Sequence, residues 1–142
     1  METSQVNVKW VDGLQFVANN NRGHSVVMDH MPGEGEIAHG PIPMELLLAG
    51  IGACTAMDVI SILKKQRQKV LGFEIVVKGE RRKDPPMIYS KIHVEYVVKG
   101  HNIDPKKLEK AIALSVEKYC SVGAMLRAAA KVTESFRIEE MG

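Results

Sequence analysis

The sequence predicts an α+β fold in which antiparallel strands surround one long helix. Polar and apolar residues alternate with period two near the start and in the middle of the chain, which is typical of strands. Between these regions, residues 43–68 hold the longest apolar run, with helix signals at both ends. Because the strands cluster rather than alternate with helices, the pattern argues against a doubly wound parallel sheet.

Length and composition indicate one globular domain over residues 1–142. The hydrophobic fraction of 45% and the charged fraction of 25% are ordinary for a soluble protein. The net charge of +2 is too small to indicate a nucleic-acid partner. No run reaches the roughly 18 consecutive apolar residues of a membrane span, and the N-terminus lacks the pattern of a secretory signal. We therefore expect a cytoplasmic protein that associates with neither membranes nor nucleic acids.

Residues 1–30 are predicted to form a β-meander. Three short alternating stretches are separated by the Asp12-Gly13 turn signal and by an Asn- and Gly-rich loop at 19–23. Residues 30–43 are rich in glycine and proline and contain no periodic pattern. A loop of this length directly before a long helix is typical of a lid or of a substrate-facing segment.

The central helix is predicted over residues 43–68. Pro43 suits its first turn, and lysines near its end favour the helix dipole. Apolar residues nearly surround it, so we expect either a wrapping sheet or a second subunit to bury it on all sides. Cys54 shares a face with the small or polar residues Gly50 and Asp58. The most hydrophobic face of the helix is expected to be a different one from the face of Cys54. It is formed by Leu46, Ala49, Ala53, Ala56, Ile60 and Leu63.

The second half of the chain is predicted as a hairpin, helices and a strand. Alternating residues over 72–99 indicate a long β-hairpin. Asp104 is the expected N-cap, with Pro105 at the first position, of a helical region 104–131 that Cys120–Gly123 interrupts. A final edge strand is predicted over residues 132–139.

The two cysteines are the main candidates for chemistry. Free cysteine most often behaves as a buried small hydrophobe, and Cys54 could equally face a partner helix or a small pocket. A helix that begins just after Cys120 would bring positive dipole ends to its sulfur and lower its pKa. In a cytosolic protein, two cysteines more often form a redox-active or buried pair than a structural disulfide. Their spacing alone does not show that they meet.

No metal or cofactor is expected. The histidines lack ligand spacing such as HxxxH, and no CxxC motif is present. The glycines at positions 33 and 35 do not follow a strand–helix pattern, so no phosphate loop is indicated. The histidines are His24, His30, His39, His93 and His101.

Two segments together resemble the OsmC/Ohr family, in particular its OsmC-like branch. They are residues 43–59, which carry Cys54, and residues 118–122, which carry Cys120. The resemblance extends over nearly the whole chain and implies an OsmC-like fold. It also implies an intertwined homodimer in which the sheets of both subunits wrap each central helix and the active sites lie at the interface.

The resemblance further implies thiol peroxidase activity on organic hydroperoxides. Carried over, Cys54 is the peroxidatic thiolate and Cys120 the resolving thiol, and a dithiol reductant restores both. At the position of the family's glutamate this chain has Met44, and the region of the family's arginine contains no arginine. Glu45 and Arg22 are therefore the candidates for the groups that activate Cys54.

Two other functions remain open at this point. The chain could be a non-catalytic dimer that binds a small apolar ligand at its interface. It could also be a redox sensor in which a disulfide between Cys54 and Cys120 controls a partner.

Overall fold

The computed structural model describes residues 2–142. The chain forms two compact units, residues 1–47 and residues 48–142, which are described in turn. The single domain inferred from the sequence stays a prediction. Helix α1 begins in the first unit and continues into the second.

The first unit is built on a three-stranded antiparallel sheet. Strands β1 (Val6–Asp12), β2 (Gln15–Asn20) and β3 (Ser25–Met28) pair in sequence order. Gly13 in the first turn has φ +53°, a left-handed conformation that glycine adopts without strain. Every residue of β1 is exposed, including Trp10 at 67%, so this unit leaves apolar surface uncovered.

Asp29 anchors the irregular segment that follows β3. Its Oδ1 accepts the His30 N–H at 2.8 Å, and its Oδ2 accepts the His39 N–H at 3.0 Å. The Asp29 N–H donates to the Pro41 carbonyl at 3.0 Å. The bonds that its carboxylate accepts hold the pKa of Asp29 at about 2, with the His39 N–H as the largest cause. The segment is therefore fixed at both ends although it has no regular structure.

Helix α1 runs from Pro43 to Lys65, three residues shorter than predicted. Its end is a Schellman motif, in which the Arg67 N–H bonds the Lys64 carbonyl and the Gln68 N–H bonds the Leu63 carbonyl. Arg67 takes the left-handed φ of +59° that this motif usually assigns to glycine. Because no glycine marks the position, the sequence gives no signal of the end.

The second unit contains a mixed three-stranded sheet. The strands β4 (Lys69–Arg81), β5 (Tyr89–His101) and β6 (Lys131–Glu140) lie in that order. Strands β4 and β5 pair antiparallel, whereas β5 and β6 pair parallel, so the prediction of purely antiparallel sheets is wrong for the last strand. A parallel pair needs a crossover, which here consists of α2 (Pro105–Leu114), a π-helical turn (Ser115–Tyr119) and α3 (Ser121–Arg127). Strand β5 is the buried centre of the sheet.

One face of helix α1 packs in the core of the second unit. Its buried residues are Ile51, Gly52, Thr55, Val59 and Leu63. Gly52 permits a close approach to β4, since a Cβ there would lie 3.0 Å from Val77 Cγ2. Ala53 is exposed and so is Met57, at 68%. The expected stripe through Ala53 is therefore not the buried one, and this chain alone does not bury the helix on all sides.

Helix α1 is long and apolar enough to cross a membrane by length and composition. An 18-residue window has a mean hydropathy of 2.0, and 28% of that window is buried. A core helix of a soluble protein meets the same criterion, so this composition is weak support for a membrane span.

Candidate thiol site

Cys54 and Cys120 lie next to each other in the second unit. Interaction with the Cys54 side chain is one of the causes that raise the pKa of Cys120, which makes the two thiols neighbours. Both are free cysteines. Cys54 is half-buried on α1, whereas Cys120 is only 4% exposed. The fold thus brings together two thiols that are far apart in sequence. Cys54 is the more accessible of the two.

A π-helical turn positions Cys120. The Cys120 N–H donates to the Ser115 carbonyl, five residues back, at 2.7 Å. Cys120 is also the N-cap of α3, and its sulfur accepts the Gly123 N–H at 3.3 Å. A Cβ at Gly123 would lie 3.1 Å from this sulfur and 2.7 Å from Arg127 Nη1. Only glycine therefore fits at 123 without a shift of its neighbours.

Burial controls the protonation of Cys120. It raises the pKa of this thiol to about 11, with further increases from Cys54 and Asp58. The Gly123 N–H acts in the opposite direction and is outweighed. The sequence-based expectation of a lowered pKa is therefore wrong. The helix does begin just after Cys120, but desolvation is the larger effect.

A chain of hydroxyl groups runs beside the two thiols. Thr55 Oγ1 lies 2.8 Å from the Tyr96 hydroxyl and 2.8 Å from Ser115 Oγ. Ser115 Oγ donates to Asp58 Oδ2 at 2.8 Å. Thr55, Tyr96 and Ser115 are buried, and Asp58 is half-buried. The chain connects α1, β5 and the π-helical turn through side chains alone.

The number of protons fixes the direction of these bonds. Each hydroxyl has one proton to donate, and that of Ser115 goes to Asp58. Thr55 must then donate to Ser115, and Tyr96 must donate to Thr55. All three protons point towards the Asp58 carboxylate, which is the acceptor at the end of the chain.

Arg127 is a cation whose charge acts on this arrangement, and it already has partners. Its Nη1 bonds the Val116 carbonyl at 3.4 Å, and its Nη2 lies 3.5 Å from Glu134 Oε2. Its charge acts on Tyr96, whose pKa burial raises. No lysine or arginine of residues 48–142 is among the main causes that shift the pKa of Cys120.

Glu45 and Arg22, the other predicted site residues, belong to the first unit. Glu45 Oε1 accepts the Ile42 N–H at 3.0 Å and so caps the start of α1. Arg22 is exposed in the turn after β2, where its N–H bonds Asn20 Oδ1 at 2.9 Å. Among residues 2–142, its guanidinium has no hydrogen-bond or ion-pair partner. A role for either residue at Cys54 stays a prediction.

Sequence reasoning missed most of the polar chain. It noted that Asp58 lies one turn from Cys54 but assigned no role to Thr55, Ser115 or Tyr96. These three residues are far from one another in sequence. The available signal was a polar residue directly after Cys54 and another at the helix irregularity. In residues 2–142, no cluster of three or more His, Cys, Asp or Glu side chains could hold a metal ion.

The fold and this site define a class of α+β proteins with paired, reduced cysteines at a long central helix. The sequence profile of the family described as "OsmC-like protein" matches residues 33–135. "Protein YhfA" of Escherichia coli strain K12 is 39% identical over 134 residues, covering 94% of this chain and 97% of its own. The chain therefore belongs to the OsmC-like family, as the resemblance of the two cysteine segments predicts.

Solved structures show the same fold. A hypothetical protein from Aquifex aeolicus VF5 superposes with a TM-score of 0.88 at 35% identity, with both chains covered completely. The organic hydroperoxide resistance protein OhrB of Bacillus subtilis superposes with a TM-score of 0.64 at 20% identity, over 96% of this chain and 98% of its own.

Proposed function

We propose that this protein reduces organic hydroperoxides, with Cys54 as the peroxidatic and Cys120 as the resolving cysteine. The observation that supports this most directly is the adjacency of the two free thiols. Their unequal exposure supports the assignment, since a peroxide reaches half-buried Cys54 more easily than Cys120. The fold shared with a hydroperoxide resistance protein supports the substrate class.

The proposed cycle has three balanced steps. The Cys54 thiolate attacks the distal peroxide oxygen and the O–O bond breaks, which forms the sulfenic acid. The alkoxide that leaves takes one proton from solvent and becomes the alcohol. Cys120 then attacks the Cys54 sulfur, forming the S–S bond and breaking the S–O bond. The hydroxide leaves with the Cys120 proton as water. A dithiol reductant finally supplies two electrons and two protons to restore both thiols.

Thiol titration before and after treatment with cumene hydroperoxide tests this function. The reduced protein should lose both free thiols and gain one intramolecular disulfide, seen by mass spectrometry. Cys120→Ser should stop at a sulfenic acid on Cys54, which dimedone labels. If Cys54 stays a thiol under excess peroxide in the wild type, the function is wrong.

We also propose a homodimer in which a second copy covers helix α1. A groove of about 430 Å³ lies between α1 and β4 and is lined only by apolar residues and glycine. Met57, one helical turn after Ala53, is also exposed and apolar. The residues that line the groove between α1 and β4 are Leu48, Ala49, Gly52, Ala53, Ala56, Phe73, Ile75 and Val77.

Light scattering with size exclusion tests the dimer against the chain mass of 15.7 kDa. The wild type should elute with twice that mass. Ala53→Glu places a charge on the groove and should give the monomer, whereas Lys107→Glu, on an exposed part of α2, should not. A monomeric wild type contradicts the proposal.

We expect the protein in the cytoplasm, where a dithiol reductant is available.

A non-catalytic ligand-binding function is the second candidate. A groove of about 440 Å³ beside Asp58 combines apolar Met57, Ile62, Leu114 and Tyr119 with polar Ser61 and Lys65. This lining suits a small amphipathic ligand. Binding of a fluorescent fatty acid that persists unchanged in Cys54→Ala, without peroxide turnover in the wild type, would favour it.

A further inference from the structure

We propose that the sheet of the second unit carries, on the face away from helix α1, a binding site for a small soluble molecule with two phosphate groups. The site is a groove of about 500 Å³ at one end of strands β4, β5 and β6. It contains neither cysteine, so the proposal is independent of the proposed function. The polar residues that line this lysine groove are Lys78, Glu80, Lys91, His93, Lys131 and Thr133.

The sheet itself separates the lysine groove from the thiols. Successive residues of a strand point to opposite faces of a sheet. On β5, Tyr96 points towards α1, where it bonds Thr55, and Val94 is buried on the same face. Lys91 and His93 differ from Val94 by an odd number of positions or follow the opposite phase, so that both point away from the helix. Lys91 is exposed and His93 is half-buried.

The pairing of the three strands brings the lining residues together in two adjacent rows. The first row is Glu80, Lys91 and Lys131, and the second is Lys78, His93 and Thr133. Because neighbouring strands lie about 4.8 Å apart, Lys91 and Lys131 are side by side, and like charges directly opposite each other destabilise a sheet. Among residues 2–142, neither of these lysines, nor Lys78, forms an ion pair with a carboxylate.

Protection of the sheet edges does not account for all three lysines. Lysines on edge strands hinder pairing with other chains, and β4 and β6 are the edges of this sheet. That explains Lys78 and Lys131. Lys91, however, lies on the central strand β5, which has no free edge. Its charge opposes that of Lys131 without compensation, and an anion bound between the two ammonium groups would relieve this repulsion.

The end of the sheet around the lysine groove concentrates positive charge. Residues 78–91 and Lys131 together contain six lysine or arginine residues and two acidic residues, whereas the whole chain has a net charge of +2. The rest of the chain is therefore net negative. A surface region of one sign raises the local concentration of ligands of the opposite sign.

His93 leaves a hydroxyl proton available to a ligand. Its Nδ1 lies 2.7 Å from Thr133 Oγ1, and its Nε2 lies 2.7 Å from Ser135 Oγ. A neutral imidazole has one proton to donate and each hydroxyl has one, so the two bonds use two of three protons. In the tautomer with the proton on Nδ1, the remaining proton belongs to Thr133. Because Thr133 lines the groove, that proton can be donated to a phosphate oxygen.

The dimensions and lining of the groove favour a small diphosphate. Its volume is in the range of small-molecule sites, and lysine ammonium groups bind phosphate as point charges. The pair Lys91 and Lys131 suits one phosphate group, and Lys78, on the far side of the His93 ring, suits a second. No Phe, Tyr or Trp of the described residues lines the groove. Single-stranded nucleic acid, which binds by stacking its bases on such side chains, is therefore disfavoured.

Titration of the full-length, nitrogen-15-labelled protein with inorganic pyrophosphate, followed by NMR, tests this site. Salt of about 0.15 M screens exposed charges that are more than about 8 Å apart. Under these conditions we expect binding that saturates below about 10 mM, with the largest amide shifts at residues 78, 91, 93, 131 and 133. Inorganic phosphate should bind at least about threefold more weakly, since it reaches only one of the two centres of charge.

Three variants connect the binding to the proposed contacts. Lys91→Gln should weaken pyrophosphate binding at least about threefold. Glu80→Gln should strengthen it, because Glu80 is the one acid among the described lining residues. Lys99→Gln is the matched control and should bind like the wild type. Lys99 is a lysine of the same strand that already lies 3.8 Å from a carboxylate oxygen of Glu139.

Shifts that do not saturate, or that centre on other residues, would overturn the proposal. Equal losses in Lys91→Gln and Lys99→Gln would also overturn it, since they would indicate a diffuse ion atmosphere rather than a site. Tighter binding to a short oligothymidylate or to phosphatidylglycerol vesicles than to pyrophosphate would assign the face to nucleic acid or to a membrane instead. Failure of Cys54 to react with hydroperoxide would refute the proposed function and leave this result intact.

Discussion

Thr55 Oγ1 and the Tyr96 hydroxyl lie 2.8 Å apart in the core of the second unit, where each residue is at most 2% exposed. This bond attaches helix α1, one residue beyond Cys54, to the central strand β5. The thiol is therefore held by the sheet as well as by its own helix.

Removing the two hydroxyls should have unequal effects on stability. Thr55→Val preserves shape but leaves the Tyr96 donor and the Ser115 acceptor unpaired, which should cost about 1–3 kcal/mol. Tyr96→Phe removes only the donor at the end of the chain and should cost about 1 kcal/mol. Urea unfolding of both variants and of the double variant measures the coupling. Ser61→Ala, at an exposed position of the same helix, should stay near wild type, and equal losses in both single variants would contradict the donor order.

Two glycines of helix α1 should respond in opposite ways to alanine. A Cβ at Gly50 would lie 3.6 Å from Val122 Cγ1, an ordinary contact. Gly50→Ala should therefore stabilise the protein by about 0.5–1 kcal/mol through helix propensity. At Gly52 the Cβ would lie 3.0 Å from Val77 Cγ2, a tight contact that the Val77 side chain would have to relieve by a small shift. Thermal melts should place Gly52→Ala below Gly50→Ala, and the reverse order would show that the approach of α1 to β4 is loose.

The segment after β3 should contain a histidine with a raised pKa. His30 Nδ1 lies 2.8 Å from Asp29 Oδ1 and its Nε2 3.5 Å from Glu36 Oε2. The bond with Asp29 is the largest cause that raises the pKa of His30. These contacts stabilise the first unit at low pH, and the benefit is lost as pH rises through the raised pKa.

Histidine titration by NMR checks this assignment. Asp29→Asn should lower the His30 midpoint more than Glu36→Gln does, because Asp29 is the larger contributor. Glu34→Gln, at an exposed acid in the same segment, is the control and should not move it. A wild-type midpoint at the ordinary value for histidine would disagree with the geometry.

Cys120 should make the protein less stable in alkali. Burial raises its pKa from about 9 to about 11, so the native state binds more protons than the unfolded chain between these values. Stability should then fall as pH rises through this interval. In Cys120→Ala, the urea midpoint of unfolding should change less with pH in this interval. Cys54→Ala is the comparison, and an equally steep fall in Cys120→Ala would assign the effect to another group, such as Tyr96.

Local chemistry predicted the parts of the fold that neighbouring residues determine. Asp104 accepts the Lys106 N–H at 2.9 Å as the N-cap of α2, with Pro105 following. Pro43 begins α1 as expected. Both helix starts are determined by residues within one turn of the helix. Such local patterns can be read directly from the sequence.

Features that depend on distant residues were not predictable in the same way. The left-handed Arg67 ends α1 without a glycine to mark it. The parallel pairing of β6 with β5 follows from the crossover rather than from any pattern inside β6. The pKa of Cys120 was expected in the wrong direction because a helix terminus is visible in a sequence, whereas burial at 4% exposure is a property of the fold.

The π-helical turn has a consequence for how this site could arise. It contains one residue more than an α-helical turn would hold between Ser115 and Cys120. Without that residue the helix would continue regularly, and the side chain at position 120 would rotate by about 100° around its axis. The sulfur would then no longer lie beside Cys54. The thiol pair thus depends on an insertion of one residue, a step that a single codon can gain or lose.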